Sequence, residues 1–159
     1  MNRNIALAFY DFDGTLVSSN VLTQYIWYRR RDPCLATNLK LARLAALAPV
    51  LGAIEMCSRT LFNEVFYREY RGLREDWLRR EAEGLFEQVF RRRIFPGARS
   101  LLLADRDAGF RPVLVTGSPD FAVGPVARHF GFEDVIANTL EFENGVATGA
   151  IRPPILAAA

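Results

Sequence analysis

Two apolar runs constrain this chain most, because each ends abruptly in side chains that carry chemistry. Ile5-Ala6-Leu7-Ala8-Phe9-Tyr10 is apolar throughout and stops at Asp11. A strand without a polar face must be covered on both sides, as happens inside a parallel sheet flanked by helices. Pro112-Val113-Leu114-Val115-Thr116 repeats the pattern far downstream. Beside it, Ala98 to Ala108 predicts a helix closed by Gly109, and Ser118-Pro119 opens another that runs to about Phe130 and ends at Gly131. Asp134 to Asn138 predicts a third strand. Leu140 to Thr148 alternates around Asn144-Gly145, a dipeptide suited to a tight hairpin because both residues tolerate positive φ. Alternation of strand and helix predicts an α/β fold built on a parallel sheet.

Between the two runs the spacing becomes helical. Breaks are expected at Asp32-Pro33, Pro49 and Gly72, with Asp32 capping a helix whose first residue, Pro33, has no N–H to lose. Ile54, Cys57, Leu61 and Val65 make one expected apolar stripe, and Leu78, Ala82, Leu85 and Val89 a second. The expected organisation is a helical cap, residues 18–93, inserted after the first strand, with 1–17 and 94–159 forming the sheet domain.

Composition narrows the function. Half of the 159 residues are apolar, enough for one core and a small accessory lobe but not for two independent catalytic domains. Eighteen acids offset twenty cations, of which Lys40 is the single lysine, and the net charge of +2 gives no reason to expect a nucleic-acid partner. The longest apolar stretch, Leu44 to Ile54, contains Pro49 and falls short of the ~20 residues that span a bilayer. No transmembrane segment or signal peptide is expected. Cys34 and Cys57 lack metal-ligand spacing and read as reduced, partly buried thiols in a cytoplasmic setting. Arg29-Arg30-Arg31 and Arg91-Arg92-Arg93 read as solvated helix ends. His129 reads as a cation favoured by a helix C-terminus. Ala157-Ala158-Ala159 is a short low-complexity tail.

The chemistry lies where the strands end. Asp11-Phe12-Asp13-Gly14-Thr15 sets two carboxylates at the carboxyl edge of the sheet, where open α/β folds bind ligands. One can attack while the other handles protons. Gly14 lets the backbone approach an anion, and the Gly14 and Thr15 N–H groups could face phosphate oxygens. An anionic nucleophile approaching an anionic phosphoryl group needs a divalent cation, and oxygen ligands suit magnesium. Thr116-Gly117-Ser118 again sets hydroxyl and glycine at a strand end opening a helix, whose N-terminus can hold an anion. Ser118 could equally be a plain N-cap. A calcium loop is excluded, since its glycine and acid positions hold Leu16 and Leu22; a purely structural pair of turn aspartates is the remaining bland reading.

Together these elements resemble the haloacid dehalogenase superfamily over essentially the whole chain. Asp11-Phe12-Asp13-Gly14-Thr15-Leu16 is similar to its first motif, and Thr116 falls where its second has Ser or Thr. Val115 to Pro119, Pro125-Val126-Ala127, Glu143-Asn144-Gly145 and Thr148-Gly149 are similar to the phosphoserine-phosphatase-like branch. The resemblance implies a Rossmann-like core and a magnesium-dependent phosphatase of small-molecule phosphomonoesters. Asp11 would form an aspartyl phosphate and Asp13 would act as acid and then base, its proton affinity raised by Asp11. The cation would be held by the Asp11 carboxylate and the Asp13 carbonyl, the phosphate by Thr116 and the Gly117 N–H with Gly14, Thr15 and Ser118 alongside. The branch places an acid that recognises the substrate amine where this chain has Asn20. It also uses a later lysine and aspartate, whereas no lysine follows Lys40 and no aspartate follows Asp134. Arg152 is a poor copy of a mobile ammonium. Relative to the family, the chain is therefore expected to be C-terminally truncated, with weak magnesium binding and an uncovered first strand through which copies could associate. The alternative expectation is a non-catalytic fragment, or a module of a larger protein, that retains only an anion site.

Overall fold

The computed structural model describes residues 6–32 and 37–156. Expectations placed on Ile5, Pro33, Cys34 and the Ala157–Ala159 tail lie outside the described residues. Four strands form one sheet in the order β1 (Leu7–Asp11), β2 (Arg111–Pro119), β3 (Asp134–Glu143) and β4 (Val146–Arg152). β1 and β2 run parallel with Asp11 beside Val115, and β2 runs parallel to β3 from Val113 beside Asp134. β3 is one long strand where a strand and a hairpin arm were expected. Its first half pairs with β2 and its second half, antiparallel, with β4. The hairpin turn falls at Asn144 and Gly145, with φ of 50° and 75°, the left-handed pair that keeps the twist of both strands.

β1 is the outer strand among those described, in line with the uncovered first strand that the resemblance implies, but it lacks the cover on both faces expected from its apolarity: Leu7 is 46% and Phe9 64% exposed, and Tyr10 is its one buried residue. Continuous apolarity says that both faces want cover; it does not say what supplies it. The opposite side is filled by α5 (Ala98–Asp107) and α6 (Asp120–Phe130), whose Leu102, Phe121, Ala122 and Val126 are buried.

The helical layer holds α1 (Val21–Arg31), α2 (Thr37–Cys57), α3 (Arg59–Tyr67) and α4 (Glu75–Leu85), the last continued by a π-helical turn over Phe86–Phe90. Asp32 closes α1, its N–H donating to the Tyr28 carbonyl, and the helix start expected at Pro33 lies outside the described residues. Pro49 lies inside α2 and does not end it. The real break is Ser58, whose hydroxyl accepts from the Leu61 N–H at 3.2 Å, a side-chain cap at the start of α3. The expected stripe across that break does not exist: Cys57 is exposed, Leu61 is 46% exposed, and α3 buries Phe62, Asn63, Phe66 and Tyr67 instead. The stripe on α4 stands, with Leu78, Ala82 and Leu85 buried and Val89 packed against them. Gly72, at φ 86°, is a genuine break.

Arg29 is likewise no solvated helix end. It is 1% exposed, donating to the Tyr25 hydroxyl at 2.8 Å and Asp32 at 2.9 Å, and to the Glu69 carbonyl. Arg91, Arg92 and Arg93 are exposed as expected. The chain enters and leaves the helical layer at one paired crossing, where Ser18 N–H donates to Arg93 at 2.8 Å and Phe95 N–H to Leu16 at 3.0 Å. An aromatic cluster joins the layers: Tyr28 and Tyr70 meet Phe121 of α6 edge-on at 5.6 and 5.7 Å.

Candidate active site

Asp11 ends β1, and the parallel register sets it beside Val115, so that Thr116 follows one residue further along β2, where the regular pairing with β3 is interrupted. Both side chains line one cavity of about 180 Å³, together with Asp13, Gly14 and Gly117. The helical layer closes it with Asn20, Val21, Glu55, Arg59, Phe62 and Asn63. Two adjacent parallel strands thus bring a carboxylate pair and a hydroxyl to one hollow toward the carboxyl edge of the sheet.

The loop after β1 is held by its own backbone. Gly14 sits at φ 80°, a conformation that disfavours other residues. Its N–H donates to the Val17 carbonyl at 2.9 Å, and the Thr15 N–H reaches Phe12 at 3.4 Å. Those amides shape the turn and do not face the cavity, contrary to expectation. Thr15 is exposed and lies off the cavity wall.

Ser118 is also placed differently from either sequence reading. It belongs to β2, is fully buried, and does not line the cavity. α6 starts after it, with Pro119 at the cap position and no side-chain cap. The Ser118 hydroxyl donates to Asp13 Oδ2 at 2.5 Å and accepts from Gln24 Nε2 at 2.7 Å. Gln24 Nε2 also approaches Asp13 Oδ1 at 3.4 Å, while its Oε1 is buried without a hydrogen-bond partner among the described residues. This chain of groups serves both protonation states of Asp13. With the carboxylate ionised, Gln24 donates to Ser118 and Ser118 to Asp13. With it protonated, Asp13 can donate to Ser118, and a half-turn of the Gln24 amide presents the spare oxygen to the Ser118 hydroxyl. Gln24 was not foreseen; the available signal was a polar residue on the apolar face shared with Tyr25 and Tyr28.

Burial pushes the Asp13 carboxyl up to about 6. The Asp11 charge adds to this, while the Ser118 and Gln24 hydrogen bonds and the Arg59 charge pull the other way. Like-charge repulsion, the cause expected from sequence, is therefore smaller than desolvation. Asp11 Oδ1 accepts the Phe12 N–H at 2.8 Å, which fixes its rotamer toward the hollow. Thr116, 1% exposed, accepts the Ser118 N–H at 3.0 Å through its hydroxyl oxygen. The Gly117 carbonyl is clasped from both layers, by the Tyr67 hydroxyl at 2.7 Å and the Asn138 amide at 2.8 Å.

The donors around the hollow are oxygens, and no group of three or more His, Cys, Asp or Glu forms a metal cluster among the described residues. Two carboxylates with room for water and phosphate oxygens fit magnesium, which seldom uses an all-protein cage. Asn20 caps α1, its side-chain oxygen accepting from the Thr23 N–H at 2.8 Å and the Thr23 hydroxyl at 2.9 Å. Arg59, on the cavity wall and 3.9 Å from Glu55, was not singled out by sequence. His129 is exposed in the last turn of α6, and burial, with Arg91 and Arg99 nearby, lowers its pKa. Its place at that helix end is the one expected, while the lowered proton affinity weakens it as a cation there.

A family model described as haloacid dehalogenase-like hydrolase matches residues 8–158. A curated phosphoserine phosphatase from Archaeoglobus fulgidus is 23% identical over 156 residues, covering 98% of this chain; the chain spans 40% of that relative's length. A crystal structure of a protein of unknown function from Bordetella pertussis Tohama I superposes with a TM-score of 0.76 at 22% identity, over 95% of this chain and 68% of that one. A phospho-aspartyl intermediate analogue of phosphoserine phosphatase superposes with a TM-score of 0.60 at 18% identity, over 94% of this chain and 64% of that one. These likenesses establish the fold.

Proposed function

Because the chain belongs to the haloacid dehalogenase-like hydrolases, we propose that it carries the nucleophile-bearing part of a magnesium-dependent phosphatase acting on small-molecule phosphomonoesters. The observation that carries the reading is the shared hollow of Asp11, the last residue of β1, and Thr116 on the neighbouring strand β2. Similarity to a phosphoserine phosphatase supports it.

In the proposed reaction an Asp11 oxygen attacks phosphorus and the bond to the substrate's alcohol oxygen breaks. Asp13, protonated at the start, gives its proton to that leaving oxygen. A water then loses a proton to Asp13 and attacks phosphorus, the bond to Asp11 breaks, and phosphate leaves. Splitting one displacement into two is the advantage of a covalent route. A proton affinity near neutrality suits a group that must give and then take a proton. Thr116 and Gly117 would hold the phosphoryl oxygens, with Gly14 allowing close approach. Thr15 would do no more than shape the turn, and Ser118 would orient Asp13. A magnesium ion held by the Asp11 carboxylate and the Asp13 carbonyl would neutralise charge on the phosphoryl group. Asn20 is spent on capping, so recognition of a substrate amine at that position is not part of the reading.

No described helix is long and apolar enough to cross a membrane, and the exposed free Cys57 supports a reducing, cytoplasmic setting. The test is phosphate release with magnesium. Asp11→Asn should lower it by at least ~10³-fold, on the scale of losing a covalent nucleophile, with an unchanged melting temperature. Equal turnover by wild type and Asp11→Asn would refute the assignment.

A further inference from the structure

The cavity does not end at the carboxylates. Asn20, Val21, Glu55 and Phe62 line both it and a second cleft of about 440 Å³ between α1, α2 and α3. We infer that this cleft takes the apolar portion of the substrate, so that the phosphomonoester turned over carries an extended aliphatic group on its alcohol. The inference rests on the phosphatase reading above and specifies its substrate class.

Three helices build the cleft by turning apolar stripes toward one another. α2 presents Leu41, Leu44, Ala48 and Leu51, α1 presents Val21, Leu22 and Ile26, and α3 presents Phe62 and Phe66. The two phenylalanine rings stack at 5.4 Å with 13° between planes, giving a flat aromatic wall. The cleft follows α1 from Val21 to Arg30, about 14 Å at 1.5 Å per residue. Its volume falls within the ~300–1,000 Å³ of small-molecule pockets. Polar groups are confined to Glu55 and Asn20 where the two hollows join, and Arg30 toward the end of α1. The side-chain oxygen of Asn20 is committed to Thr23, and Glu55 lies 3.9 Å from Arg59. A phosphate seated by Thr116 would thus have its organic part directed into an apolar cleft.

Small residues keep the cleft open. At Gly52 an added Cβ would meet no atom within 4 Å, so the space beside it is empty. Gly52→Leu should fill that space while improving helix propensity, which separates blocking from unfolding. Ala48→Phe, at an exposed lining position, blocks independently.

The test uses the chain with magnesium and a series of methyl-, butyl-, octyl- and dodecylphosphonate below their micellar concentrations, with binding followed by calorimetry, alongside hydrolysis of the matching alkyl phosphates. Burying a methylene contributes about 0.8 kcal/mol, so affinity should rise about fourfold per methylene until the cleft is filled. Gly52→Leu and Ala48→Phe should flatten that rise and leave methylphosphonate affinity unchanged. Affinity independent of chain length, an equal rise in both blocked variants, or alkanols binding as tightly as phosphonates would overturn the inference. Turnover of all chain lengths at one rate would sink it while sparing the phosphatase reading; absence of turnover on every phosphomonoester would sink that reading itself.

Discussion

Asp13 stores a conflict between folding and chemistry. Its carboxyl, raised from 3.8 to about 6 by burial, binds a proton more tightly in the folded chain than in the unfolded one. The folded state is therefore favoured below the unfolded value, loses stability as pH rises from about 4 to about 6, and stays less stable above. In metal-free protein Asp13→Asn should relieve this, raising stability at pH 8 by an amount on the order of 1–3 kcal/mol at ~1.4 kcal/mol per pH unit and by almost nothing at pH 4. Chemical denaturation at the two pH values measures it; a variant equally stable to wild type at pH 8 would count against the burial argument. Ser118→Ala should cost about 1–3 kcal/mol by leaving the Gln24 amide buried without its best acceptor, seen as a lower melting temperature. Asp11, Asp13, Gly14, Thr116 and Gly117 were legible because strand ends must point at the sheet's carboxyl edge. Ser118 and Gln24 were not: a hydroxyl before proline suits a helix cap as well as a buried relay, and the burial of Gln24 depends on how α1 is rolled.

Helices show where local propensity and packing disagree. Pro49 was expected to end a helix, yet α2 runs through it, since flanking turns can tolerate one lost hydrogen bond at a cost near 3 kcal/mol. The break came instead at Ser58, a residue with no steric veto but a side chain able to replace a missing backbone partner. Ser58→Ala should lower stability by about 1 kcal/mol and loosen α3, read as faster hydrogen exchange at Leu61 and Phe62. β3 carries a comparable latch: Asn138 donates to the Gly117 and Leu156 carbonyls at 2.8 and 3.0 Å and accepts from the Leu156 N–H at 2.7 Å. Asn138→Ala, which strands several buried partners, should cost about 2–4 kcal/mol, checked by thermal melting. The hairpin at Asn144-Gly145 and the strand ends were readable from local rules alone. The fusion of two expected strands into β3 was not, because it depends on which neighbour each half finds.

Among the described residues, the outer strand of the sheet is a weakly covered boundary. β1 presents Leu7 and Phe9 on the open edge of the sheet, and an uncovered strand edge invites pairing with another chain. Sedimentation should show concentration-dependent association of this chain that Phe9→Lys abolishes; wild type remaining monomeric across a hundredfold concentration range would contradict this. The overall α/β plan followed from periodicity and the open edge of β1 from the resemblance, whereas the exposure of its Leu7 and Phe9 face did not, since apolar residues record a need for cover and not its source. Among the contacts that join the two layers, one converges on a single atom. Tyr67 from the helices and Asn138 from the sheet both grip the Gly117 carbonyl, so lifting the helical layer would tug on the backbone next to Thr116. Were that layer to lift, the proposed phosphate cradle would lose one of the two bonds that fix its carbonyl, so separation of the layers would be felt first where the phosphoryl oxygens are expected to rest.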